Sequence, residues 1–423
     1  MRNRDAVVVG AGRAGLGAAL SLARAGASVT LVDAAKEPGG LCVTRRREGF
    51  AYDLGGHIPF VREESRRAWL EELLGSELRW VDRPVSCVRD GEIVRGRYLD
   101  QRPDRPVALG DRDGTAAGEL AARFGTTFVD RVMRPYLEKI DGLPLERIPD
   151  ERARRLLEDQ AAPTGFHFPA RGIGQLMDAM AEGAREAGAE VLLGAAVEAI
   201  DVRGGTVGAV RVVQDGIVRH IGTEAAVIAM PAGSAARLLF PAAPGSLTRP
   251  VRMRAVCIVL LRVAREWVSA EPWIQVDDPG IPFSRAFEPR NWSPALTPAG
   301  ETVIGLECYC QADDHDPVWG LDDEELAAAC ARALHRPLGL LDDPGAARLL
   351  EVVRLPRAYP VPDIGQIAAV RAPAVWLAAL GGIHLAPGAA VIEAIEAGER
   401  AADAILAGGP PTRIDPDSVP PIS

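Results

Sequence analysis

The sequence predicts an α/β fold in which a Rossmann-type dinucleotide-binding domain carries an inserted α+β domain. Two observations support this prediction. The chain opens with a β-strand, a glycine-rich turn, a helix and a second strand, which together make one βαβ unit. Its length of 423 residues, of which 48% are hydrophobic and 25% charged, is sufficient for two packed domains.

The βαβ unit is built from four consecutive segments. Residues 5–9 are a β-branched run, which is typical of a parallel strand buried on both faces. Residues 10–15 read Gly-Ala-Gly-Arg-Ala-Gly and predict a turn. Residues 16–25 are rich in Ala and Leu and predict a helix, and residues 28–32 predict the second strand.

The three glycines of the turn have separate roles in binding a dinucleotide. Gly10 permits the tight turn, Gly12 lets the backbone approach a pyrophosphate, and Gly15 allows the helix to pack against the strand. Asp33, 21 residues after Gly12, is placed to accept hydrogen bonds from ribose hydroxyls, and its charge disfavours a 2′-phosphate. The turn therefore predicts a dinucleotide site that disfavours NADP; the alternative is a glycine turn without a ligand.

The rest of the chain shows a helical insertion at residues 63–160, followed by alternating strands and helices, and ends in a Pro-rich tail at residues 408–423. The further strands that we predict are 190–193, 197–202, 207–213, 225–229, 255–263, 302–308 and 374–379. The further predicted helices are 174–187, 323–334 and 389–406.

Composition and charge argue against several classes of function. A formal net charge of -10 at pH 7 argues against a nucleic-acid partner, because such binding needs a basic surface. No apolar run is long enough to predict a membrane span. The six cysteines form no CxxC pair, so we expect no metal site, and their scatter fits a reducing cytoplasm. We therefore expect a cytoplasmic protein that acts on a small molecule.

Two further glycine motifs point to FAD rather than NAD. Gly39 and Gly40 follow Asp33 at six and seven residues, and Gly55-Gly56-His57 follows in the phrase GFAYDLGGHIPF. This spacing resembles the flavoprotein superfamily of amine oxidases, protoporphyrinogen oxidases and UDP-galactopyranose mutases. The resemblance implies a glutathione-reductase-2-like flavoprotein fold, in which these motifs wrap the FAD pyrophosphate and reach the isoalloxazine ring.

The resemblance continues through residues 166–180 (FHFPARGIGQLMDAM), 190–200 (EVLLGAAVEAI), 225–231 (AAVIAMP) and 376–402. It implies a discontinuous FAD-binding domain made of residues 1–62, 165–245 and 370–407. The substrate domain then has a helical part at 63–164 and a β-rich part at 246–369. The cofactor-binding residues that the resemblance implies are Gly10, Gly12, Arg13, Ala14, Gly15, Asp33, Ala34, Gly39, Gly40, Leu41, Gly55, Gly56, His57, Val197, Gly381, Gly382, Ala390, Val391 and Ile392.

Two segments bear on the branch of the superfamily. Residues 121–144 resemble the mutase-like branch, although Ile140-Asp141-Gly142 replaces its Trp-Gly ending; a surface position is the alternative for Lys139 within this segment. Residues 256–267 resemble an amine-oxidase strand that carries a flavin-contacting lysine ten residues before a Trp. Cys257 stands at that place here, so we do not expect simple amine oxidation.

No cysteine follows Cys330, so the covalent link that some relatives form in their C-terminal segment is not expected. We predict that FAD is bound non-covalently.

The candidate catalytic residues are two histidines and a tyrosine. His57 is expected near the reactive edge of the flavin, where an imidazole can donate or accept a proton near neutral pH. His384 would approach from the opposite side, and Tyr359 lies in a family-like AYPV phrase. Arg285 and Arg290, with Tyr359, are the substrate-binding candidates, because paired arginines can hold a carboxylate or diphosphate. Backbone contacts for His57 and surface ion pairs for the arginines are the alternatives.

The predicted function is that of an FAD-dependent oxidoreductase in specialised metabolism. It would oxidise a small metabolite by hydride transfer to flavin N5, followed by reoxidation by dioxygen or another electron acceptor. The main alternative is a non-redox, UDP-galactopyranose mutase-like enzyme that uses reduced FAD on a nucleotide sugar. A flavin-binding protein without turnover is the third alternative.

Overall fold

The computed structural model describes residues 5–82, 85–89, 91–102, 110–158, 165–361, 363–388 and 390–409; most of the predicted Pro-rich tail lies outside this range. The strands are β1 (Asp5–Val9), β2 (Ser28–Asp33), β3 (Thr44–Arg47), β4 (Phe50–Asp53), β5 (Leu78–Asp82), β6 (Val85–Arg89), β7 (Glu92–Arg95), β8 (Gly165–Pro169), β9 (Glu190–Leu193), β10 (Ala195–Arg203), β11 (Thr206–Gln214), β12 (Ile217–Gly222), β13 (Ala225–Ile228), β14 (Leu239–Phe240), β15 (Met253–Val263), β16 (Trp273–Gln275), β17 (Arg285–Phe287), β18 (Thr302–Cys310), β19 (Ala347–Pro360) and β20 (Ile383–Leu385). The helices are α1 (Arg13–Arg24), α2 (Glu64–Leu74), α3 (Ala116–Phe124), α4 (Thr126–Phe128), α5 (Arg134–Asp141), α6 (Asp150–Glu158), α7 (Gly174–Glu186), α8 (Ala232–Arg237), α9 (Asp323–His335), α10 (Ile367–Ala378) and α11 (Val391–Ala407).

A five-stranded parallel sheet in the order β20-β13-β1-β2-β9 forms the first layer, and it draws its strands from three separated parts of the chain. Helices α1, α7 and α11 cover one face, and β10, β11, α8 and α10 cover the other. Burial on both faces explains why these strands are apolar throughout rather than alternating. The carboxyl ends of β1, β13 and β20 lie at one edge of the sheet.

Helices α1 and α11 approach each other through glycines. A Cβ atom at Gly17 would lie 2.5 Å from the carbonyl oxygen of Ile395, and one at Gly398 would lie 1.9 Å from that of Ala14. Any larger side chain would push the helices apart. Close packing thus brings the N-terminal ends of both helices toward the same edge of the sheet.

A seven-stranded sheet in the order β19-β15-β18-β17-β16-β6-β7 forms the second layer. One face packs on α9, and side chains such as Cys257 and Cys308 point to it. The opposite face packs on β4 and β8 and carries Val256 and Val353. This second face therefore lies toward the Gly55-Gly56-His57 loop, which follows β4.

The helical insertion is fixed to the second sheet by Lys139. Its Nζ donates to the carbonyl oxygens of Val276 (3.3 Å), Asp278 (2.8 Å) and Phe283 (2.7 Å). Burial lowers the pKa of this ammonium to about 8. Lys139 therefore has a structural role and is not the surface lysine of the alternative interpretation. The helix it belongs to starts with α4 and passes through a π-helical turn, Val129–Met133, into α5.

Two secondary-structure predictions were wrong. Residues 63–160 are not wholly helical, because β5, β6 and β7 lie among them. The predicted strand at 374–379 lies in and just after α10, and the strand of this region is β20. An apolar segment of this length looks the same in sequence whether it forms a buried strand or a buried helix.

Within the described residues, no helix is long and apolar enough to cross a membrane.

Candidate active site

The glycine-rich loop lies at the carboxyl edge of the parallel sheet, between β1 and α1. A Cβ atom at Gly10, where φ is +103°, would lie 2.8 Å from the carbonyl oxygen of Ala229, and one at Gly15 would lie 1.7 Å from that of Gly10. A Cβ atom at Gly12 would meet no described atom within 4 Å. The loop is therefore open at Gly12, next to first-turn N–H groups of α1 that have no intrahelical partner.

The second glycine pair and Asp33 border this opening. The Gly39 N–H donates to the carbonyl oxygen of Ala11 (2.8 Å), and a Cβ atom at Gly40 would lie 3.6 Å from the Cα of Gly12. Asp33 Oδ2 accepts from the Ala11 N–H and Oδ1 from the Ala35 N–H, each at 2.7 Å. Each carboxylate oxygen has a further lone pair, so Asp33 both fixes the loop and can accept from a ribose hydroxyl.

Other predicted cofactor residues extend along the same edge. The Gly194 N–H donates to the carbonyl oxygen of Ala35 (2.7 Å), which places the start of β10 and its half-buried Val197 on the Asp33 side. On the other side, the Ala386 N–H donates to the carbonyl oxygen of Ile228 (3.2 Å), just before α11 begins. The residues that remain predicted contacts along this edge are Ala14, Ala34, Leu41, Ala390, Val391 and Ile392.

These features fit an extended dinucleotide. The cradle at Gly12 admits a pyrophosphate, two helix N-termini supply N–H donors, and Asp33 supplies an acceptor for a ribose.

The Gly55-Gly56-His57 loop is pressed against the second sheet. The Gly56 N–H donates to Glu307 Oε1 at 3.3 Å, and a Cβ atom at Gly55 would lie 3.1 Å from the same oxygen. A Cβ atom at Gly56 would lie 2.1 Å from Cη2 of Trp273. Glycine at both positions is therefore required for the loop to reach the sheet.

His57 presents an unsatisfied ring nitrogen in this loop. Its Nε2 is buried and has no hydrogen-bond partner among the residues that the structure describes. Burial, together with the positive charge of Arg13, lowers the pKa of the imidazole to about 4, although a hydrogen bond with the backbone of Leu54 opposes the shift. The ring is therefore neutral at physiological pH. A buried nitrogen without a partner is costly, and a bound ligand would relieve that cost.

The second sheet contributes what we term the aromatic floor, defined by Trp273, Arg285, Glu307, Tyr309 and Tyr359. Glu307 is 3% exposed, and its Oε2 accepts from the Tyr309 hydroxyl (2.9 Å) and from Arg285 Nη1 (3.4 Å). The rings of Tyr309 and Tyr359 stack with centroids 6.1 Å apart. Burial raises the pKa of both tyrosines, so their hydroxyls stay protonated.

Arg285 lies between two rings of this floor. Its guanidinium carbon is 5.4 Å from the ring centroid of Trp273 and 5.6 Å from that of Tyr309, and Nε donates to the Tyr136 hydroxyl at 2.9 Å. Despite burial, the neighbouring Tyr136, Tyr309 and Glu307 raise its pKa well above the ordinary value. The side chain is a fixed cation in an aromatic setting.

Arg13, a predicted cofactor residue, lies on the same side of the molecule. Its Nη1 is 3.7 Å from the Sγ of Cys42. Its charge contributes to the lowered pKa of His57 and opposes the burial that raises the pKa of Tyr359. Arg13, His57, Tyr359 and Arg285 therefore lie in one region of the structure.

Four predicted residues lie elsewhere, and the first two are a glycine pair. Gly381 and Gly382 precede β20 at the amino edge of the sheet: the Gly381 N–H donates to the carbonyl oxygen of Gly205, and the carbonyl oxygen of Gly382 accepts from the Ala226 N–H. The strands separate this edge from the Gly10–Gly15 loop by roughly 13 Å. The predicted pyrophosphate contact of this pair is wrong, and residues 386–388, which follow β20, lie at the carboxyl edge instead.

His384 is likewise not in a cofactor loop. It is the central residue of β20, is 3% exposed, and pairs with Val227, whose side chain packs under α1 and α11. Neighbouring residues in register share a face, so His384 lies in the interior beneath these helices. The structure does not support its predicted catalytic role.

Arg290 is occupied outside the cleft. Its Nη1 donates to Thr297 Oγ1 (2.8 Å), its Nη2 donates to Glu266 Oε1 (2.6 Å), and its guanidinium lies over the ring of Trp267. These contacts replace the predicted substrate contact, so Arg285 and Arg290 do not form a pair.

Cys257, the predicted counterpart of the lysine, lies on the face of β15 that turns away from the aromatic floor. Cys257 points to α9, whereas Val256 pairs with Tyr309 on the face of the aromatic floor. Val256 is apolar, so no lysine side chain comes from this part of β15.

Sequence reasoning missed Glu307, Tyr309 and Trp273. One available signal was the glutamate within the apolar run TVIGLECYC, because an acidic residue in a buried strand normally has dedicated partners. Trp273 gave no comparable signal.

Comparisons with known proteins agree with this geometry. Residues 120–406 match the family model described as flavin containing amine oxidoreductase, and residues 8–73 match that of an NAD(P)-binding Rossmann-like domain. The all-trans-retinol 13,14-reductase of Danio rerio is 35% identical over 113 residues, which cover 23% of this chain and 18% of that protein. The human protein of the same name is 32% identical over 110 residues, covering 26% of this chain and 17% of its own length. The chain thus spans less than a fifth of these relatives.

Solved structures share the fold over nearly the whole chain. A reduced UDP-galactopyranose mutase superposes with a TM-score of 0.76 at 20% identity and 98% coverage of both chains. Wild-type putrescine oxidase bound to putrescine gives a TM-score of 0.66 at 17% identity, covering 96% of this chain and 99% of the other. An oxidoreductase from Methanosarcina mazei gives 0.70 at 16% identity, with 95% and 100% coverage.

Proposed function

Because this chain belongs to the flavin-containing amine oxidoreductase family, we propose that it dehydrogenates a small metabolite at the site that the Gly55-Gly56-His57 loop and the aromatic floor form together. The protein is an FAD-dependent oxidoreductase with a Rossmann-type nucleotide-binding fold. The observation that carries the proposal is Glu307, whose two oxygens join the Gly56 N–H to Tyr309 and Arg285. The cofactor loop and the floor are thereby parts of one site.

In this proposal the carboxyl edge of the parallel sheet holds the cofactor. The Gly10–Gly15 loop and the N-terminus of α1 receive the pyrophosphate, Asp33 accepts from a ribose hydroxyl, and residues 55–57 reach the ring. When bound, FAD accepts the hydride equivalent that leaves the substrate carbon. The side chains of the cleft then have to orient the substrate and exclude water.

His57 orients the substrate through Nε2. The unpartnered nitrogen is an acceptor when the ring is neutral and its other nitrogen is bonded to the Leu54 backbone, so an N–H or O–H beside the reacting carbon would donate to it. With a pKa of about 4, the imidazole is a weak base. We therefore assign it to alignment, because the hydrogen bond that it accepts holds the substrate in position beside the cofactor.

The aromatic floor supplies the opposite wall. Trp273, Tyr309 and Tyr359 present ring surface, and the hydroxyl groups of the two tyrosines stay neutral. Val256 offers no side-chain donor that could hold a water molecule against the cofactor. The mechanism that we propose therefore relies on substrate position rather than on a lysine-bound water.

Anaerobic reduction of the purified yellow protein tests the proposal. A panel of small amines, amino acids and hydroxy acids is added to the oxidised holoenzyme, the flavin absorbance is followed, and peroxide is measured after air is admitted. We expect one chemical class to bleach the flavin and His57→Gln to slow the bleaching at least tenfold while retaining the flavin. Turnover only after chemical reduction of the flavin, with no net electron transfer, would contradict the proposal and favour the mutase-like alternative.

A further inference from the structure

Arg285 is held on several sides but is open on one. Nε donates to the Tyr136 hydroxyl, Nη1 donates to Glu307, and the guanidinium carbon lies 5.4 Å from the ring centroid of Trp273 and 5.6 Å from that of Tyr309. Nη2 has no hydrogen-bond partner among the described residues, and 25% of the side chain is exposed. The group therefore presents two N–H donors of fixed direction to the cleft.

Both carboxylate oxygens of Glu307, next to Arg285, already accept hydrogen bonds. Glu307 Oε1 receives the Gly56 N–H, and Oε2 receives the Tyr309 hydroxyl and Arg285 Nη1. An ammonium group entering the cleft would meet a carboxylate that is 3% exposed and shared among three donors. The aromatic floor thus offers a free N–H donor at Arg285 Nη2, whereas its carboxylate, Glu307, is shielded from a ligand.

The open donor favours a monoanion. Glu307 is already shared by three donors, whereas the N–H groups of Arg285 Nη2 have no partner among the described residues. One carboxylate can accept from Nη2 in a charge-assisted bond. A dianion would be repelled by Glu307 and would find one open nitrogen where it needs several donors.

We propose that Arg285 Nη2 binds a carboxylate of the substrate and thereby selects organic monocarboxylates for this site. The inference rests on the proposed function, because it places the carboxylate in the cleft where the substrate is oxidised. The bond is charge-assisted, which makes it stronger than a hydrogen bond between neutral groups. It also sets the distance from the carboxylate to the reacting carbon.

Calorimetric titration of the oxidised holoenzyme with three probes of similar size tests the inference: benzoate, benzylamine and phenyl phosphate. We expect benzoate to bind at least tenfold more tightly than either of the others. Arg285→Met should weaken benzoate binding at least tenfold. The matched control, Arg219→Met, removes an exposed arginine of β12 that pairs with Glu190, and should bind benzoate as the unmodified protein does.

Three outcomes would overturn the inference: equal or tighter binding of benzylamine, equal or tighter binding of phenyl phosphate, or unchanged benzoate affinity in Arg285→Met. The probe series on the unmodified holoenzyme decides the question if that variant loses its flavin or fails to fold. Failure of the proposed function is distinct, because it would appear as a protein that takes up no FAD or is reduced by no substrate. A holoenzyme reduced by an amine while benzoate does not bind would refute this inference alone.

Discussion

Asp53 is a buried carboxyl group whose protonation should govern part of the protein's stability. It ends β4, two residues before Gly55, and is 1% exposed. Its Oδ1 accepts from the Thr44 hydroxyl (2.6 Å), and Oδ2 accepts from the N–H of Ile173 at the start of α7 (3.0 Å). Replacing it by asparagine keeps the shape and an acceptor oxygen but removes the titration.

Burial sets the magnitude of the effect. It raises the pKa of Asp53 from the ordinary value of 3.8 to about 7, although the hydrogen bonds and the charge of Arg46 oppose the shift. The two values differ by about 3 pH units, which corresponds to about 4 kcal/mol. The native state holds the proton where the unfolded state has released it, so the free energy of unfolding falls as pH rises through this window. Above about pH 7 the buried Asp53 is ionised in the native state as well, and the free energy of unfolding is lowered by the full amount.

Urea unfolding of the wild type and Asp53→Asn at pH 4.5, 6 and 8 measures this effect. The stability of Asp53→Asn relative to the wild type should improve as pH rises, by up to about 4 kcal/mol across the window. Asp342→Asn, which alters a fully exposed carboxylate, is the matched control and should show little pH dependence relative to the wild type. A relative stability of Asp53→Asn that stays constant with pH would refute the reasoning.

Three further predictions concern the site. Glu307→Gln should retain flavin but lose at least tenfold in kcat/KM for any substrate that reduces the wild type, because Arg285 and Tyr309 lose their anionic partner; unchanged steady-state kinetics would contradict this. As pH falls from about 6.5 toward 4, the unfolded state of the flavin-free wild type takes up a proton at His57 before the native state does, because the pKa of His57 is lowered in the native state. The free energy of unfolding of the wild type should therefore fall over this range, and His57→Gln should abolish that fall. Thermal unfolding across that range checks it, and equal slopes would count against it. Acid precipitation should release all the flavin into the supernatant, and flavin retained in the pellet would show a covalent link.

Local signals were sufficient for the cofactor half of the fold. The strand at residues 5–9 was predicted with the bounds that β1 has, because β-branched residues, glycines and a helix lie within one contiguous segment. The roles of Gly10, Gly12 and Gly15 follow from steric constraints inside that segment, and the structure shows two tight contacts and one open position. A motif of this kind can be predicted from sequence because all the residues that define it lie in one contiguous segment.

The closing segment shows where local signals fail. Residues 374–379 and β20 are both short and apolar, and hydropathy alone does not separate helix from strand at this length. Placing the strand too early moved the expected cofactor loop to Gly381 and Gly382, at the wrong edge of the sheet. One misassigned element therefore produced two wrong site residues.

The substrate half depends on contacts distant in sequence. Glu307 and Gly56 are 251 positions apart, and no spacing rule relates them. Arg285 and Arg290 looked equivalent in the sequence, but Arg285 points into the cleft from β17 while Arg290 pairs with Glu266. The side of β15 on which Cys257 lies has the same origin, since it depends on the register with neighbouring strands and one residue along a strand reverses the face.

Gly12→Ala tests the central claim, that the open glycine loop holds the cofactor. A Cβ atom at this position meets no described atom within 4 Å, and φ is -75°, so the fold should accept alanine. Flavin-free wild-type and variant proteins are titrated with FAD by fluorescence, and their thermal unfolding is compared. We expect one FAD per wild-type chain, at least a hundredfold weaker binding by Gly12→Ala, and equal unfolding temperatures of the two proteins without FAD. Equal FAD affinity in the two proteins would contradict it.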